Sequence, residues 1–372
     1  MTFRVLVLGG YGQFGRRIVQ ALSRDADMTV IVAGRDGVQA KALCDALRIG
    51  ARATLEAEAI DITGDFDAAL HRVRPNLVIH TAGPFQAQGY DVARAVLAFG
   101  AHYIDLADGR AFVEGFGVLD TLAKSHGRRA ITGASSVPGI SGAVIEAHVD
   151  RFASLDSIET GISPGNRTER GLATTRAILG YVGRPFTAKI GGAFRRVHGW
   201  QSLRREVFDG VGARWFARCE VPDVGVLPQR YPQLRTCDFR AGLELRRMHF
   251  GLWCASWFVR AGLYPRLPAR APLLLAMSER WLSQGSDVGF MHVDMAGVGR
   301  DGAPLQLRWT IIARDGAGPR IPATPAVVLA RKLARGTLTG SGASACLDLF
   351  TLRECLDALD DPAITTSLDT LR

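Results

Sequence analysis

The stretch "RVLVLGGYGQFGRRIVQAL", residues 4–22, constrains the fold of this chain more than any other segment. Its first part is apolar almost without alternation, which is typical of a strand buried on both faces of a sheet. Gly10, Gly12 and Gly15 then form a G-x-G-x-x-G pattern, and apolar residues follow at helical spacing. The segment therefore predicts a buried strand, a tight glycine turn and a helix.

Between a strand and a helix, this glycine pattern is typical of dinucleotide-binding proteins. Gly10 is expected to permit the sharp turn, Gly12 to let the backbone approach a pyrophosphate, and Gly15 to let the helix pack closely on the strand. The helix N-terminus offers free N–H groups and the positive end of the helix dipole to the phosphates. Gln13 and Phe14 precede that helix and complete this part of the predicted cofactor site. The alternative is a tight turn without a ligand.

A second apolar run, "MTVIVAGRD", occupies residues 28–36 and ends at Gly34 and Arg35. An NAD-binding protein places an acidic residue there to bind the ribose 2′-hydroxyl. A guanidinium instead binds a 2′-phosphate through charge-assisted hydrogen bonds. The segment therefore predicts NADP. The alternative is that Arg35 begins the next helix exposed to solvent, while Asp36 caps that helix or takes the ribose itself.

Strand and helix patterns continue to alternate as far as residue 150, which predicts an α/β fold with a Rossmann-type, doubly wound parallel sheet. Ligands of such sheets bind beyond the carboxyl ends of the strands. We expect Asp61, after the third strand, to lie near the adenine. Pro84 is expected to shape the loop against the nicotinamide and Phe85 to cover it. The loop residues assigned to the cofactor site after the fourth strand are Ala82, Gly83, Pro84 and Phe85.

The carboxyl ends of strands five and six supply the candidate catalytic residues. Tyr103 and Asp105 alternate with apolar residues and should therefore share one sheet face. Asp105 and Asp108 fall at a strand end and in its loop, where functional residues concentrate. Ser136 could donate a hydrogen bond to a carboxamide or carbonyl, although no G-x-S-x-G elbow surrounds it. Tyr103 could instead serve packing alone, and His80, inside strand four, is interpreted as a core histidine.

The second half of the chain predicts an α+β domain with a mixed or antiparallel sheet. "LDSIETGIS", "VGFMHVDMAGV" and "LQLRWTIIAR" have strand patterns, and Asp301-Gly302 is typical of a hairpin turn between the last two. Asn166, Arg167 and Arg170 precede a predicted helix and would suit an anionic substrate, or would form a solvated loop. The predicted domains are residues 1–150, 151–322 and 323–372, the last packing its helices on the first domain.

The net charge of +9 comes from arginines dispersed along the chain, since only four of the 45 basic residues are lysines. Dispersed arginine is typical of a solvated surface, or of a protein with a small anionic ligand. No nucleic-acid motif or basic block is present, so we expect no nucleic-acid partner. The six cysteines have no zinc-ligand spacing, and we therefore expect no metal site. The sequence has no signal-peptide pattern, which favours a cytoplasmic protein with free thiols.

One apolar stretch, "MHFGLWCASWFV", covers residues 248–259. It is too short for a bilayer span, which needs about 20 apolar residues. It is interpreted as a buried or dimer-interface helix, and a homodimer is the expected assembly. Peripheral membrane contact by residues 248–282 is the alternative.

Four segments between residues 9 and 141 together resemble the saccharopine dehydrogenase-like (saccharopine reductase-like) NADP-binding proteins. They are "GGYGQFGRRIVQAL", "VAGRD", "TAGPFQAQGYDVARAVLAFGAHYIDLADG" and "GASSVPGIS". Later segments such as "RIPATPAVVLARKLARG" are similar to bacterial members. The resemblance implies a Rossmann domain, a second domain inserted before a C-terminal return, and NADP(H)-dependent oxidoreduction. It does not imply saccharopine as the substrate.

These features together favour an NADP-dependent oxidoreductase that acts on a small molecule, either anionic or hydrophobic. An imine, an amino acid, a carbonyl compound or a lipid-like enoyl chain are the substrates considered. A Tyr-x-x-x-Lys pair is absent, because Ala107 follows Tyr103 at the fourth position. A cofactor-binding regulator or scaffold without turnover, or a membrane-peripheral protein, therefore remains an alternative.

Overall fold

The computed structural model describes residues 2–264 and 266–371, and it divides into two units that are each formed by two chain segments. The first unit comprises Met1–Ala143 and Pro319–Leu359, and the second comprises Val144–Gly318 and Asp360–Arg372. Strands and helices are numbered along the whole chain.

A parallel sheet forms the centre of the first unit. Its strands lie in the order β15-β6-β5-β4-β1-β2-β3, and all neighbours run parallel. The bounds are β1 (Phe3–Leu8), β2 (Met28–Gly34), β3 (Thr54–Ala59), β4 (Leu77–His80), β5 (His102–Asp105), β6 (Arg129–Thr132) and β15 (Gly342–Ala345). The order of the first six strands is that of a Rossmann fold, so the predicted fold class is confirmed.

Helices connect these strands. Their bounds are α1 (Gly15–Leu22), α2 (Gly37–Leu47), α3 (Phe66–Val73), α4 (Asp91–Phe99), α5 (Arg110–Gly115), α6 (Asp120–Ser125), α12 (Thr324–Ala334) and α13 (Leu352–Leu359). α7 (Ser141–His148) crosses the boundary between the units. In the sheet, β1 and β2 are almost wholly buried because their Val, Leu and Ile side chains meet covering layers on both faces.

A nine-stranded mixed sheet forms the second unit. Its strands are β7 (Phe152–Ser163), β8 (Pro185–Ile190), β9 (Ala193–His198), β10 (Arg204–Phe208), β11 (Gly212–Arg218), β12 (Thr236–Ala241), β13 (Gly289–Gly299), β14 (Pro304–Ala313) and β16 (Ile364–Thr370). The helices are α8 (Leu172–Tyr181), α9 (Asp223–Arg230), α10 (Arg246–Arg260) and α11 (Ala271–Glu279). β7 and β12 run parallel, and the other neighbours are antiparallel. The predicted mixed sheet is confirmed, as is the β13–β14 hairpin, whose Gly302 has φ of 81°.

The two ends of the predicted C-terminal segment, residues 323–372, belong to different units. α12 and α13 lie in the first unit, whereas β16 pairs antiparallel with β14 in the second. The sequence analysis did not predict the strand at the chain end. β16 is rich in Thr and Ser and lacks an apolar alternation, so only the available edge of β14 makes it a strand.

Candidate functional site

The glycine loop between β1 and α1 is packed so tightly that side chains would collide in it. A Cβ atom on Gly15 would lie 2.2 Å from the carbonyl oxygen of Gly9, and one on Gly12 would lie 3.0 Å from the same oxygen. The positive φ, 75°, belongs to Gly9. Gly10 instead needs to be glycine because a Cβ there would lie 2.9 Å from the carbonyl oxygen of Val7. The positive φ of the turn is therefore found at Gly9, whereas the sequence analysis assigned the sharp turn to Gly10.

Thr81, which the sequence analysis did not single out, ties β4 to this loop. Its hydroxyl donates to the carbonyl oxygen of Leu8 at 2.8 Å, and its backbone N–H donates to the same oxygen at 2.9 Å. A Cβ on Gly9 would lie 2.8 Å from the Thr81 hydroxyl oxygen. The loop after β4 is therefore held against the glycine loop, at the carboxyl edge of the sheet.

The N-terminus of α1 has the features of an anion site. Phe14 is its N-cap residue and makes no side-chain capping bond. The first turn holds Arg16 and Arg17 and no acidic residue. Arg17 also donates to the carbonyl oxygen of Gln13 at 2.6 Å, which fixes the chain just before the helix. Helix N–H groups, the dipole and this positive charge all favour a bound phosphate.

At the end of β2, the basic and acidic side chains have different surroundings. Asp36 caps α2, since its Oδ1 accepts N–H groups of Val38 and Gln39 at 2.9 and 3.2 Å. The Gln39 side-chain amide also donates to its Oδ2 at 2.8 Å, and this hydrogen bond, followed by the backbone ones, holds the pKa of Asp36 below its usual value. Arg35 is exposed. Asp36 therefore caps α2, which is one of the alternatives that the sequence left open. Arg35 is exposed to solvent at the end of β2.

Tyr11, inside the glycine loop, packs over Gly34. A Cβ on Gly34 would lie 2.5 Å from the Tyr11 ring, and the Tyr11 hydroxyl oxygen accepts the N–H of Asp36 at 3.0 Å. The ring therefore connects the glycine loop to the end of β2. Sequence reasoning could have found this contact from the glycine at the last position of β2, which leaves room for a large neighbour.

Asp61 lies after β3, where the sequence predicts the adenine edge. It is exposed, and its Oδ1 accepts the N–H and the hydroxyl of Thr63 at 2.9 and 2.8 Å. These hydrogen bonds lower the pKa of Asp61, and the positive charge of Arg35 lowers it further. Asp61 and Arg35 are therefore electrostatic neighbours at one edge of the sheet.

The loop after β4 places Ala82, Gly83 and Pro84 partly at the surface, but not Phe85. Phe85 is 4% exposed, and its ring packs on His80 and Phe112 with centroid distances of 5.1 and 5.4 Å. The ring therefore belongs to the interior, which differs from the expectation that it covers a ligand. An apolar side chain directly after Pro84 fills the space beneath the loop because burial there stabilises it.

His80, Tyr103 and Asp105 form a buried polar group at the ends of β4 and β5. His80 Nδ1 and the Tyr103 hydroxyl oxygen are 3.0 Å apart. Burial lowers the pKa of His80 to about 4, so its ring is neutral at neutral pH. Burial and the nearby Asp105 carboxyl raise the pKa of Tyr103. His80 is thus an interior histidine with a polar partner.

Asp105 accepts hydrogen bonds from the loop after β5 and from the end of β6 and its loop. Its Oδ1 accepts the N–H of Ala107 at 2.9 Å, the N–H of Gly133 at 2.9 Å and the hydroxyl of Thr132 at 2.8 Å. Burial raises the pKa of this carboxyl to about 6, against the lowering effect of the hydrogen bonds. Asp105 is wholly buried. The side chain therefore holds the loops after β5 and β6 in place from below.

Asp108 and Ser136 lie nearer the surface of the same loops. Asp108 is half-buried, and Gln86 donates to its Oδ1 at 2.9 Å. Burial raises the pKa of Asp108. Ser136 is 9% exposed and begins the helical turn Ser136–Ile140 after β6. Of the four candidate catalytic residues, Asp108 is the most accessible.

The predicted anion-binding residues of the second unit are engaged in structural contacts. The Asn166 amide donates to the carbonyl oxygens of Trp281 and Gln284 at 2.6 and 2.7 Å. Arg170 donates to the backbone oxygen of Asn166 at 2.6 Å. Arg167 donates to the carbonyl oxygen of Ser283 at 3.3 Å. These side chains hold the segment after α11 against the loop before α8.

An ion-pair network that the sequence analysis missed crosses one face of the second sheet. Arg204 pairs with Glu159 and Glu206, each at 2.6 Å, and Arg308 pairs with Glu206 at 2.6 Å and with Asp294 at 2.5 Å. The network lines a cleft of about 280 Å³. The partners come from β7, β10, β13 and β14, so only the folded sheet brings them together.

Within this network, Glu206, His292 and Asp294 place their potential metal-ligating atoms within 4.8 Å of one another. Arg308 contacts the carboxylates of both acidic residues. A metal ion would have to displace this guanidinium, because the Arg308 charge already occupies the space between the two carboxylates. Glu206, His292 and Asp294 are therefore part of an ion-pair network with Arg308.

Residues 5–128 match the family model of the saccharopine dehydrogenase NADP binding domain. These residues belong to that domain family. The match contains the glycine loop, Arg35 and the loops after β3, β4 and β5, so the predicted resemblance is confirmed.

A solved structure shows the same fold along the whole chain. Saccharopine dehydrogenase (L-Glu forming) from Saccharomyces cerevisiae aligns with a TM-score of 0.68 and 14% identity and covers 100% of both chains. Amine dehydrogenase from Mycobacterium smegmatis aligns with a TM-score of 0.49 and 12% identity, over 92% of this chain and 94% of the other. A search of curated protein sequences found no match. The domain match and the fold support an NAD(P)-dependent oxidoreductase.

Proposed function

We propose that this protein is an NADP(H)-dependent oxidoreductase that transfers a hydride between the coenzyme and a small or lipid-like substrate. The observation that carries the proposal is the glycine loop, which leaves no room for a Cβ at Gly15 and presents an uncapped, arginine-bearing helix N-terminus. This arrangement fits a diphosphate. When bound, the coenzyme supplies the hydride or accepts it.

Arg35 supports NADP over NAD. It is exposed at the end of β2, while the adjacent Asp36 carboxylate is committed to the N-cap of α2. A capping carboxylate is less available to a ribose 2′-hydroxyl, and a free guanidinium favours a 2′-phosphate. Asp61 lies near Arg35 and faces the same edge. Gln13, Gly34, Ala82, Gly83 and Pro84 complete the proposed cofactor surface.

Asp108 is the proposed proton donor or acceptor. Its raised pKa keeps the carboxyl protonated to a higher pH than an ordinary aspartate, which suits general acid catalysis. Ser136 is proposed to orient a polar group of the substrate or coenzyme. Asp105 is assigned a positioning role, because its carboxyl binds the loops that carry Asp108 and Ser136 and is itself buried. Tyr103 supports Asp105 from the same sheet face.

Fluorescence titration with NADPH and NADH tests the coenzyme assignment. We expect NADPH to bind more tightly than NADH, and Arg35→Asp to remove or reverse that preference by repelling the 2′-phosphate. A loss of about tenfold in NADPH affinity corresponds to one charge-assisted contact. The control is Arg48→Asp, which changes an exposed arginine at the other end of α2. Equal affinities of the wild type for both coenzymes would contradict the proposal.

A coenzyme-binding regulator without turnover is the second candidate. The burial of Tyr103, Asp105 and His80 favours it, since each is at most 1% exposed and cannot reach a substrate in this conformation. A metabolite panel assayed for NADPH oxidation separates the two functions. Oxidation with any carbonyl or imine compound establishes the oxidoreductase, whereas binding without oxidation throughout the panel favours the regulator.

A further inference from the structure

Exposed apolar side chains are concentrated in one short part of the second unit. Fourteen large apolar side chains are exposed among the described residues, and half of them lie between residues 257 and 282. Leu263 is 72% exposed, Phe258 56% and Leu273 55%. The seven residues are Trp257, Phe258, Leu263, Tyr264, Leu273, Met277 and Leu282. We call residues 246–282 the apolar–basic segment.

The helices of this segment already have an inner apolar face. Val259 of α10, together with Leu267 and Ala271, is buried in a core cluster around Trp200. The exposed residues, such as Trp257 and Phe258 on α10, are not part of this cluster. A helix at the surface of a water-soluble protein normally has a polar outer face. The outer apolar side chains therefore contribute nothing to this core and require another explanation.

The charge of the segment is predominantly positive. Glu279 is its sole acidic residue, against six arginines that are all exposed. Its aromatic residues include three tryptophans and Tyr264, side chains that prefer the boundary between water and lipid. The arginines are Arg246, Arg247, Arg260, Arg266, Arg270 and Arg280. Apolar and aromatic side chains beside a strongly basic set are typical of surfaces that bind anionic lipid bilayers.

We propose that the apolar–basic segment docks this protein on an anionic lipid surface. α10 and α11 lie in the headgroup region, with Trp257, Phe258 and Leu263 inserted and the arginines beside lipid phosphates. The segment does not span the bilayer: among the described residues, no helix has the length and hydropathy for a span. This inference is independent of the proposed oxidoreductase activity.

A second copy of the chain fits this surface less well. Closed dimers usually bring the same patch of two protomers together around a two-fold axis. Here such a contact would bring six arginines of one protomer against the same six of its partner, with one glutamate on each side. Like charges facing each other across an interface are unfavourable. An anionic bilayer instead offers both the apolar phase and the opposite charge.

Vesicle flotation with the full chain tests the proposal. We expect the protein to float with vesicles of phosphatidylglycerol and phosphatidylcholine, and to float at least about tenfold less with pure phosphatidylcholine. High salt should weaken binding because it screens the arginines. Trp257→Ser/Phe258→Ser/Leu263→Ser should abolish flotation. Arg266→Gln/Arg280→Gln, which removes charge without apolar surface, should reduce flotation by about tenfold.

The matched control is Ile49→Ser/Val118→Ser/Phe194→Ser. It removes three exposed apolar side chains outside the segment, with exposures of 101%, 62% and 62%, and should float like the wild type. Thermal unfolding checks that each variant is folded. Failure of the wild type to float, or unchanged flotation of either segment variant, overturns the proposal. Sedimentation that shows a wild-type dimer and a monomeric triple serine variant, without vesicle binding, would assign the surface to a second copy.

Discussion

At the scale of single residues, the same residue type serves different purposes at neighbouring positions. Asp105 is buried and receives three hydrogen bonds on one oxygen, whereas Asp108, three residues later, is half-buried beside Gln86. Both have a raised pKa because both are desolvated. From sequence position alone, Asp105 and Asp108 were equivalent candidates. Their different burial in the structure distinguishes a positioning residue, Asp105, from one that a substrate can reach, Asp108.

Asp105 should make the stability of the first unit depend on pH. Its pKa is raised from 3.8 to about 6 by folding, so the folded state binds its proton more tightly. The stabilising contribution is therefore complete below about pH 3.8 and is lost as the pH rises through about 6. Relative to Asp105→Asn, the wild type should lose about 3 kcal/mol across that window. Chemical denaturation at a series of pH values measures this difference.

Two further variants complete that experiment. Asp105→Ala should be destabilised at every pH by roughly 1–3 kcal/mol, because buried donors on Ala107, Gly133 and Thr132 lose their acceptor. Asp27→Asn, at an exposed position of the same unit, is the control. A pH-independent difference between wild type and Asp105→Asn would contradict the interpretation.

At the scale of elements, a local capping motif begins α13. Thr351 and Glu354 form a capping box at the start of α13, with the Thr351 N–H donating to Glu354 at 2.7 Å and the Glu354 N–H donating to the Thr351 hydroxyl at 3.1 Å. Lys332 of α12 also contacts Glu354 at 2.7 Å. The cap therefore helps to hold two helices together as well as to begin one.

Replacing Thr351 by Ala should destabilise the first unit by about 1 kcal/mol, since the Glu354 N–H loses its capping acceptor. Thr351→Ser keeps a hydroxyl and should remain close to the wild type. Thermal or urea unfolding of the two variants measures the difference. Equal stability of the Ala and Ser variants would show that the hydroxyl does not contribute.

At the scale of the whole molecule, sequence-distant charges meet on the second sheet. Glu206, Asp294 and Arg308 are separated by long stretches of chain, yet Arg308 binds both acidic residues. Hydrogen bonds and charge from Arg308 and His292 lower the pKa of Asp294 to about 2, although its burial opposes this shift. The ion pairs of Arg308 therefore connect β14 with β10 and β13.

Acid should weaken the second unit through Asp294. Because its pKa is lowered by folding, its stabilising contribution is present above about pH 3.8 and is lost as the pH falls towards 2. Asp294→Asn should lack this acid-dependent loss and should be less stable than the wild type at pH 7. Urea unfolding at pH 7 and under acid tests this, with exposed Asp209→Asn as the control. Parallel loss of stability in all three proteins would contradict the role of Asp294.

Periodicity and turn chemistry predicted the elements that depend on nearby residues. The β1–α1 junction, the β13–β14 hairpin and the α13 cap each follow from patterns within a few residues, because a strand face, a turn and a cap are local arrangements. β15 and β16 lacked such a pattern, since Gly, Ala, Ser and Thr residues form strands there only beside β6 and β14. Phe85 was expected to cover the nicotinamide, but it is 4% exposed, and its burial depends on residues from other elements such as His80 and Phe112.

The sequence by itself determined the Rossmann class, the position of the glycine loop and the basic residue at the end of β2. These follow from residue spacing, which the chain carries locally. Tertiary structure decided that Gly9 holds the positive φ of the turn, that Asp105 lies beneath the loops, and that Arg308 bridges carboxylates from other strands. It also decided which apolar side chains of α10 and α11 remain outside the core. Burial and charge pairing depend on distances between remote segments, and those distances exist only after folding.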